Sequence, residues 1–327
     1  MKFSVIIATY KPCLEDIIFT LNSVEKQQMK EIEVIITDDG SPDNKFDDID
    51  KYCKDNQFNN VRLIPHDKNC GTVSNFLSAV SECKGEYVKP ISPGDGLFDE
   101  HTLDEVYHFM SENDIDGCFG LLNAYRNVNG TIESFDYFHP LDLDAYRSSK
   151  KNRVLKNLVL YSDHVCGAAV FFKTSRFKYL LEAIKDDVVF VEDLMQVICA
   201  AEDKPLALFD KYAVWYQLGT GVSTQYNSPV RKRMKLDSTL FYQNIMGAYD
   251  DNKFVKKRRR HLKAYAEPNY YVQVLKIMAL NPSVFVFLSR FFLQKRERIQ
   301  YRKNCHIGFL NDQVFVNNCF GTEGTCK

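Results

Sequence analysis

Three short polar stretches carry carboxylates where a fold could gather them: Asp38-Asp39 in "DDGSPD", Asp95 in "SPGDGLF", and Glu192-Asp193 after the apolar "VVFV". Carboxylates at strand ends suit two tasks. They accept hydrogen bonds from base or sugar groups, or they hold a hard divalent cation against phosphates. Each stretch also has a plain structural account. Asp-Gly-Ser-Pro-Asp is good turn and helix-cap chemistry, and Asp is commonplace in a Pro-Gly-Asp-Gly turn. Two acids at a helix N-terminus are stabilised by the dipole; on the functional account one of them is a general base while its neighbour packs or caps. A fourth stretch, "GTGVST" at 219–224, offers backbone N–H groups that could cradle a pyrophosphate. No Gly-x-Gly-x-x-Gly follows the first apolar run and no P-loop pattern occurs, which excludes those two phosphate-binding fingerprints.

These stretches sit between elements that would bring them together. "FSVIIA" and "IEVIIT" are continuous β-branched runs, as expected of strands buried on both faces. Between them Leu14, Ile17, Ile18, Leu21 and Val24 recur at helical spacing. Asp43 is placed to cap a second helix carrying Phe46, Ile49 and Tyr52 inward. "VRLIP", a helix with Val73, Phe76, Leu77 and Val80 on one face, and "EYVKPI" complete a doubly wound α/β unit with a parallel sheet. Further on, a helix spans about Leu103 to Met110, and "DGCFGLLNAY" and "AAVFFK" are strands. "SRFKYLLEAI" is a helix, "VVFV" a short strand leading into another, and "PLALFD" and "YAVWYQL" two more short strands. Residues 125–163 show weak periodicity and are expected to form an irregular insertion over the sheet edge. The expected division is a nucleotide-binding and catalytic domain over 1–225 and a helical C-terminal lobe over 226–327. In such sheets ligands bind at the carboxyl ends of the strands, where strand order reverses. The loops "ATYKP", "DDGSPDN" and "SPGDGLF" are therefore the places to search.

Composition narrows the class. The chain has 327 residues, 45% hydrophobic and 26% charged, which is ordinary for a globular protein. A formal net charge of −1 argues against nucleic acid as the partner. Basic residues gather late, in "KKRRRHLK" and "QKRERIQYRK". The ten cysteines include no Cys-x-x-Cys pair, so reduced, mostly buried thiols are expected, and metal binding by Cys305, Cys319 and Cys326 is not. The first apolar run is too short for a secretory leader, and no uninterrupted run reaches the roughly 20 residues of a membrane span. The expected location is cytoplasmic. "YYVQVLKIMALNPSVFVFLSRFFLQKRER" is either two packed helices meeting at a proline or a basic, apolar surface resting on the inner face of an anionic membrane.

Taken in order, "SVIIATYK", "LNSVEKQQ", "EIEVIITDDGSPD" and "NCGTVSNFLSAVSECKGEYVKPIS" resemble family 2 glycosyltransferases of the GT-A fold, over roughly residues 1 to 225. The resemblance implies Ala8, Thr9 and Tyr10 as nucleoside contacts and Asp39 as acceptor from the uracil N–H. Ser92 and Gly94 are implied beside the nucleotide, Asp95 as metal ligand, and Glu192-Asp193 as the Glu-Asp pair whose Asp deprotonates the acceptor hydroxyl. Where the family usually shows Asp-x-Asp-Asp, this chain reads Ser92, Pro93, Gly94, Asp95, so one carboxylate remains for Mg²⁺ or Mn²⁺, which would arrive with the nucleotide-sugar. The implied reaction is inverting transfer of a single sugar, since the Gln-x-x-Arg-Trp pattern of processive members is absent. The implied acceptor is a saccharide or lipid-linked saccharide, in cell-surface polysaccharide or glycolipid synthesis. Oligomerisation stays open. Two other classes compete: a nucleotide-sugar-binding protein without turnover, and a membrane-surface scaffold driven by the C-terminal lobe. Trp215 and Tyr216 are either acceptor-stacking or core residues, and His164 and His66 have no partner identifiable from sequence.

Overall fold

The computed structural model describes residues 1–128, 131–137, 139–219 and 229–289. The apolar runs become parallel strands β1 (Phe3–Thr9), β2 (Ile32–Asp38), β3 (Val61–Pro65) and β4 (Tyr87–Ile91), in the spatial order β3-β2-β1-β4. β2 and β4 are buried at every residue and β1 at nearly every one, which explains their lack of alternation. Helices α1 (Leu14–Glu25), α2 (Phe46–Asp55) and α3 (Thr72–Ser81) make the crossovers. Ile17, Ile18, Leu21 and Val24 of α1, and Val73, Phe76 and Val80 of α3, are buried, as their spacing predicts. Each such side chain contributes about 1.5–3 kcal/mol relative to exposure.

The sheet then widens to nine strands. β5 (Gly96–Leu97), α4 (Thr102–Glu112), β6 (Gly117–Val128) and β7 (Thr131–Tyr137) follow β4. Past two short helices, α5 (Leu143–Arg147) and α6 (Lys151–Lys156), come β8 (Val170–Lys173), α7 (Thr174–Ile184), α8 (Met195–Ala201) and β9 (Ala207–Gln217). β8 runs antiparallel to β4 and β6, while β6 and β9 are parallel with a shifted register at Gly120 and Leu121. β9 continues to β5, so the sheet returns to the loop after β4.

Several expectations change. The described residues of 125–163 are not irregular. Their first part is a β6–β7 hairpin, followed by α5 and α6, which a bidentate pair joins: Arg153 donates to both oxygens of Asp142 at 2.6 and 2.7 Å. "PLALFD" and "YAVWYQL" form one strand, whose polar break at Asp210 and Lys211 is simply exposed beside the register shift. "VVFV" is not a strand, because its backbone bonds go to side chains and a helix start rather than to a neighbouring strand. Asp43 does not cap α2: it accepts from the Lys45 N–H, and Asn44 accepts from the Phe46 N–H at 3.1 Å.

Over the described residues 229–289 the chain is mostly helical: α9 (Pro229–Leu240), α10 (Lys253–Arg260), α11 (Leu262–Tyr265) and α12 (Tyr270–Leu280). Phe241, Tyr242, Met246 and Val255 pack into the same buried core as the sheet. Arg258 is buried between the Tyr242 and Tyr265 rings, 4.6 and 3.4 Å from their centroids. Cation–π attraction of this kind is strongest when desolvated. Among the described residues no single helix is long and apolar enough to cross a membrane; α12 and the short helix Ser283–Ser289 meet at a bend of 117°. "QKRERIQYRK", Cys305, Cys319 and Cys326 lie outside the described residues.

Candidate active site

Strand order reverses between β1, which neighbours β2, and β4 on its other side. A cavity of about 370 Å³ opens at the carboxyl ends of these two strands, where open α/β sheets bind ligands. Ala8, Thr9 and Tyr10 line it from the end of β1 and the residue after it, and Asp39 from just past β2. Adjacent acids divide the work. Asp38 builds the turn, accepting from the Thr9 hydroxyl at 2.9 Å, the Ser41 N–H at 2.7 Å and the Ser41 hydroxyl at 2.7 Å. Asp39 faces the cavity and accepts from the Cys70 and Gly71 N–H groups at 2.7 and 2.9 Å. Burial holds its carboxyl above the usual range against those two bonds. Each oxygen keeps a further lone pair for a ligand donor.

Ser92 and Asp95 line the cavity from the loop after β4, and Gly94 does not. Gly94 adopts φ +86°, where an added Cβ would lie 2.0 Å from the Gln217 Oε1. Its N–H points inward to the Asp16 carbonyl and the Thr20 hydroxyl, both at 3.0 Å, and its carbonyl accepts from the Tyr125 hydroxyl. Its role is to turn the chain. This turn presents Asp95, whose Oδ1 accepts from the Gln217 N–H at 2.9 Å. Burial pushes the Asp95 carboxyl up to about 7, despite the Gln217 bond and the nearby charge of Lys89.

Glu192 and Asp193 reach the same cavity from a single 3₁₀ turn, Glu192–Leu194, that leads into α8. Burial, and for Glu192 the adjacent Asp193 charge, raises both carboxyls. Asp193 accepts from the Gly167 N–H, and a Cβ at Gly167 would fall 2.5 Å from its Oδ1, so only glycine admits this approach. The segment before the turn is held by α9: Asp237 accepts from the Val189 and Phe190 N–H groups.

The cavity thus brings together Ala8, Thr9, Tyr10, Asp39, Ser92, Asp95, Glu192 and Asp193, from widely separated parts of the chain. It also contains groups to which local patterns offered little or no pointer. Asp16 on α1 accepts from the Gln217 side chain at 3.1 Å, and burial raises its carboxyl. Asn75 on α3 accepts from the Thr37 hydroxyl at 2.6 Å. Met234 reaches in from α9. Asp16 had a faint signal, as one of two acids in the first turn of α1; Gln217 and Met234 had none. Tyr216 lines the cavity, whereas Trp215 is core, stacked 5.0 Å from Phe98 with its Nε1 donating to the Phe98 carbonyl. His66 and His164 are outside the lining; burial and the Arg258 charge lower His164 to about 4. Most of "GTGVST" lies outside the described residues.

The model of glycosyl transferase family 2 matches residues 4–178, more than half of the chain. The chain belongs to glycosyl transferase family 2. The chain is 30% identical over 107 residues to the glycosyltransferase GlyG of Streptococcus pneumoniae, covering 33% of this chain and 35% of that one. It is 38% identical over 196 residues to an uncharacterized glycosyltransferase of Mycoplasma genitalium, covering 58% and 60%. The chain therefore matches about a third and three fifths of the lengths of these relatives. In fold, the chain superposes on S. aureus TarS 1-349 in complex with UDP-GlcNAc, with a TM-score of 0.51, 20% identity, and 81% and 72% of the two chains covered. It superposes on the mannosyltransferase PcManGT of Pyrobaculum calidifontis, in complex with GDP-Man and Mn²⁺, with a TM-score of 0.52, 15% identity, and 98% and 88% covered. At these identities the likeness is one of fold, and the fold is GT-A.

Proposed function

We propose that this glycosyltransferase moves a single sugar from a UDP-sugar to a hydroxyl acceptor with inversion at the anomeric carbon. One observation carries the reading: Asp39, Asp95 and Asp193 line one cavity at the strand-order reversal. Asp39 offers lone pairs to a nucleobase N–H, with Ala8, Thr9 and Tyr10 beside it. Asp193 takes the proton of the acceptor hydroxyl, which attacks the anomeric carbon from the face opposite the departing diphosphate. Its raised affinity for a proton suits a general base.

The residues present fit a divalent cation brought in with the donor. No group of three or more His, Cys, Asp or Glu side chains among the described residues forms a metal cage. Asp95 uses one oxygen for Gln217 and lines the cavity, and Asp16 stands close enough to raise its pKa. One or two carboxylates with diphosphate oxygens and water meet the needs of Mg²⁺ or Mn²⁺. Asp95 would hold the ion, with Asp16 beside it, and the ion would stabilise charge on the leaving diphosphate.

The acceptor reading rests on α9 and the helices beyond it. Met234 shares the cavity with Asp193. Tyr270, Tyr271, Leu275, Phe285 and Val286 are exposed on α12 and the next helix, while Lys256, Arg260 and Lys263 are exposed before them. Such a surface accords with a lipid-linked acceptor at an anionic membrane and with a part in cell-surface polysaccharide or glycolipid synthesis.

Calorimetric titration of UDP with and without Mn²⁺, on the native chain and Asp95→Ala, tests the reading. The expected result is metal-enhanced binding that the substitution abolishes. Binding indifferent to metal and to Asp95 would remove the cation role, and no UDP binding would remove the uridine assignment.

A further inference from the structure

Gln217 ends β9 where three parts of the sheet converge. It pairs with Tyr125 of β6, and β5 pairs with β9 at Gly96 and Trp215, a register that sets Gln217 opposite Gly94 two residues further on. Tyr125 closes the same corner, its hydroxyl donating to the Gly94 carbonyl. An added Cβ at Gly94 would fall 2.0 Å from the Gln217 Oε1, so the glycine leaves the room in which the Gln217 side chain lies.

From this place Gln217 reaches two carboxylates that line the cavity. Its N–H donates to Asp95 Oδ1 at 2.9 Å, and its Nε2 donates to Asp16 Oδ1 at 3.1 Å. Asp16 comes from the first turn of α1, and Asp95 from the loop after β4. Helix and loop are also fastened to each other. The Thr20 hydroxyl donates to the Asp95 carbonyl at 2.7 Å, and the Gly94 N–H donates to the Asp16 carbonyl at 3.0 Å. The amide suits this place chemically. A lysine or arginine would pair with the two acids and cancel their charge, whereas a neutral amide orients a carboxylate and leaves its charge for a cation.

We propose that Gln217 is the positioning residue of the cation site: its main chain seats Asp95 and its side chain aims Asp16 into the same cavity, so that both acids serve the ion carried in with the nucleotide. This rests on the cation reading of Asp95 given above. Asp16 then supplies from α1 a second carboxylate that neither Ser92 nor Gly94 can offer. Hydrogen-bond partners of ligating side chains are commonly worth about 10–100-fold in metal affinity.

The test titrates Mn²⁺ into the full chain at saturating UDP and follows the free ion by electron paramagnetic resonance, for native protein, Gln217→Met, Asp16→Ala and the double variant. Gln217→Met keeps the main-chain bond to Asp95 and removes only the side-chain donor. It should weaken Mn²⁺ binding at least tenfold while UDP affinity in EDTA stays within twofold of native. Asp16→Ala should weaken Mn²⁺ binding at least as much, with no further loss in the double variant. Native Mn²⁺ affinity in either single variant would overturn the proposal. So would a further loss in the double variant, or an equal loss of UDP affinity in EDTA, which would make Gln217 a prop of the loop alone. If Gln217→Met does not fold, Gln217→Asn, which keeps an amide too short to reach Asp16, decides in its place by the same outcomes. Failure of the native chain with UDP to take up Mn²⁺ would sink the cation reading itself and this inference with it, and the native titration alone reports that.

Discussion

Asp237 and Phe190, 47 residues apart, are joined by a hydrogen bond of 2.7 Å from the Phe190 N–H to the Asp237 carboxylate. The same oxygen accepts from Val189 at 3.0 Å, and the other accepts from Arg233 at 2.6 Å. A fully buried carboxylate on a C-terminal helix therefore shapes the segment that delivers Glu192 and Asp193.

Asp237→Ala leaves two backbone donors without that partner. Hydrogen bonds to charged groups contribute about 1.5–3 kcal/mol, so a clear drop in melting temperature is expected. Below that temperature, kcat should fall, because the 188–191 segment leads into Glu192 and Asp193. Calorimetry and steady-state kinetics on the folded variant check this; a native kcat would mean that the 188–191 segment holds its shape without Asp237.

Asp193→Asn keeps the size of the side chain and removes the proposed base. Loss of a general base lowers rate on the order of 10²–10⁴-fold, and the variant should still fold and bind UDP. Because burial raises the Asp193 carboxyl, the acid limb of the native rate profile should fall above the ordinary carboxylate range, with activity rising as pH increases through it. A flat profile from pH 5 to 8 would remove Asp193 from the role.

Glu33 makes a separate prediction about stability. Burial alone would raise its carboxyl, but the Ser4 hydroxyl, the Lys84 N–H and Arg62 outweigh burial and lower it. A folded-state pKa below the unfolded one contributes stability that is present above the unfolded value, about 4.3, and is lost as pH falls through the folded value. Denaturant titrations between pH 6 and 3 should show Glu33→Gln less stable than native at pH 6 and the difference shrinking toward pH 3. A constant difference would assign Glu33 a role by shape alone.

Much of the fold was legible because local chemistry left little choice. Continuous β-branched runs such as "FSVIIA" have to lie buried on both faces, and the 3.6-residue stripes of α1 and α3 have to cover them. That pattern yields the parallel unit and points to the strand ends. The 125–163 region was less legible because its hairpin and short helices are held by contacts such as Arg153 to Asp142, which leave no periodic trace. Asp43 is a cap by residue type alone, yet Asn44 makes the bond to the Phe46 N–H, since which side chain caps depends on the backbone angles of the turn.

The sequence by itself determined the α/β alternation and the family, together with the stretches in which Asp39, Asp95 and Asp193 stand, because strand burial, helix spacing and turn composition are local properties. Tertiary structure decided that Asp38 builds the turn while Asp39 faces the cavity, and that Gly94 turns inward beside an Asp95 held by Gln217. It also decided that Lys89 on β4 is fully buried, with its Nζ donating to the Ala168 carbonyl. The physical reason is that a side chain's burial, charge state and partner are set by chain segments far away in sequence, and no local pattern carries them.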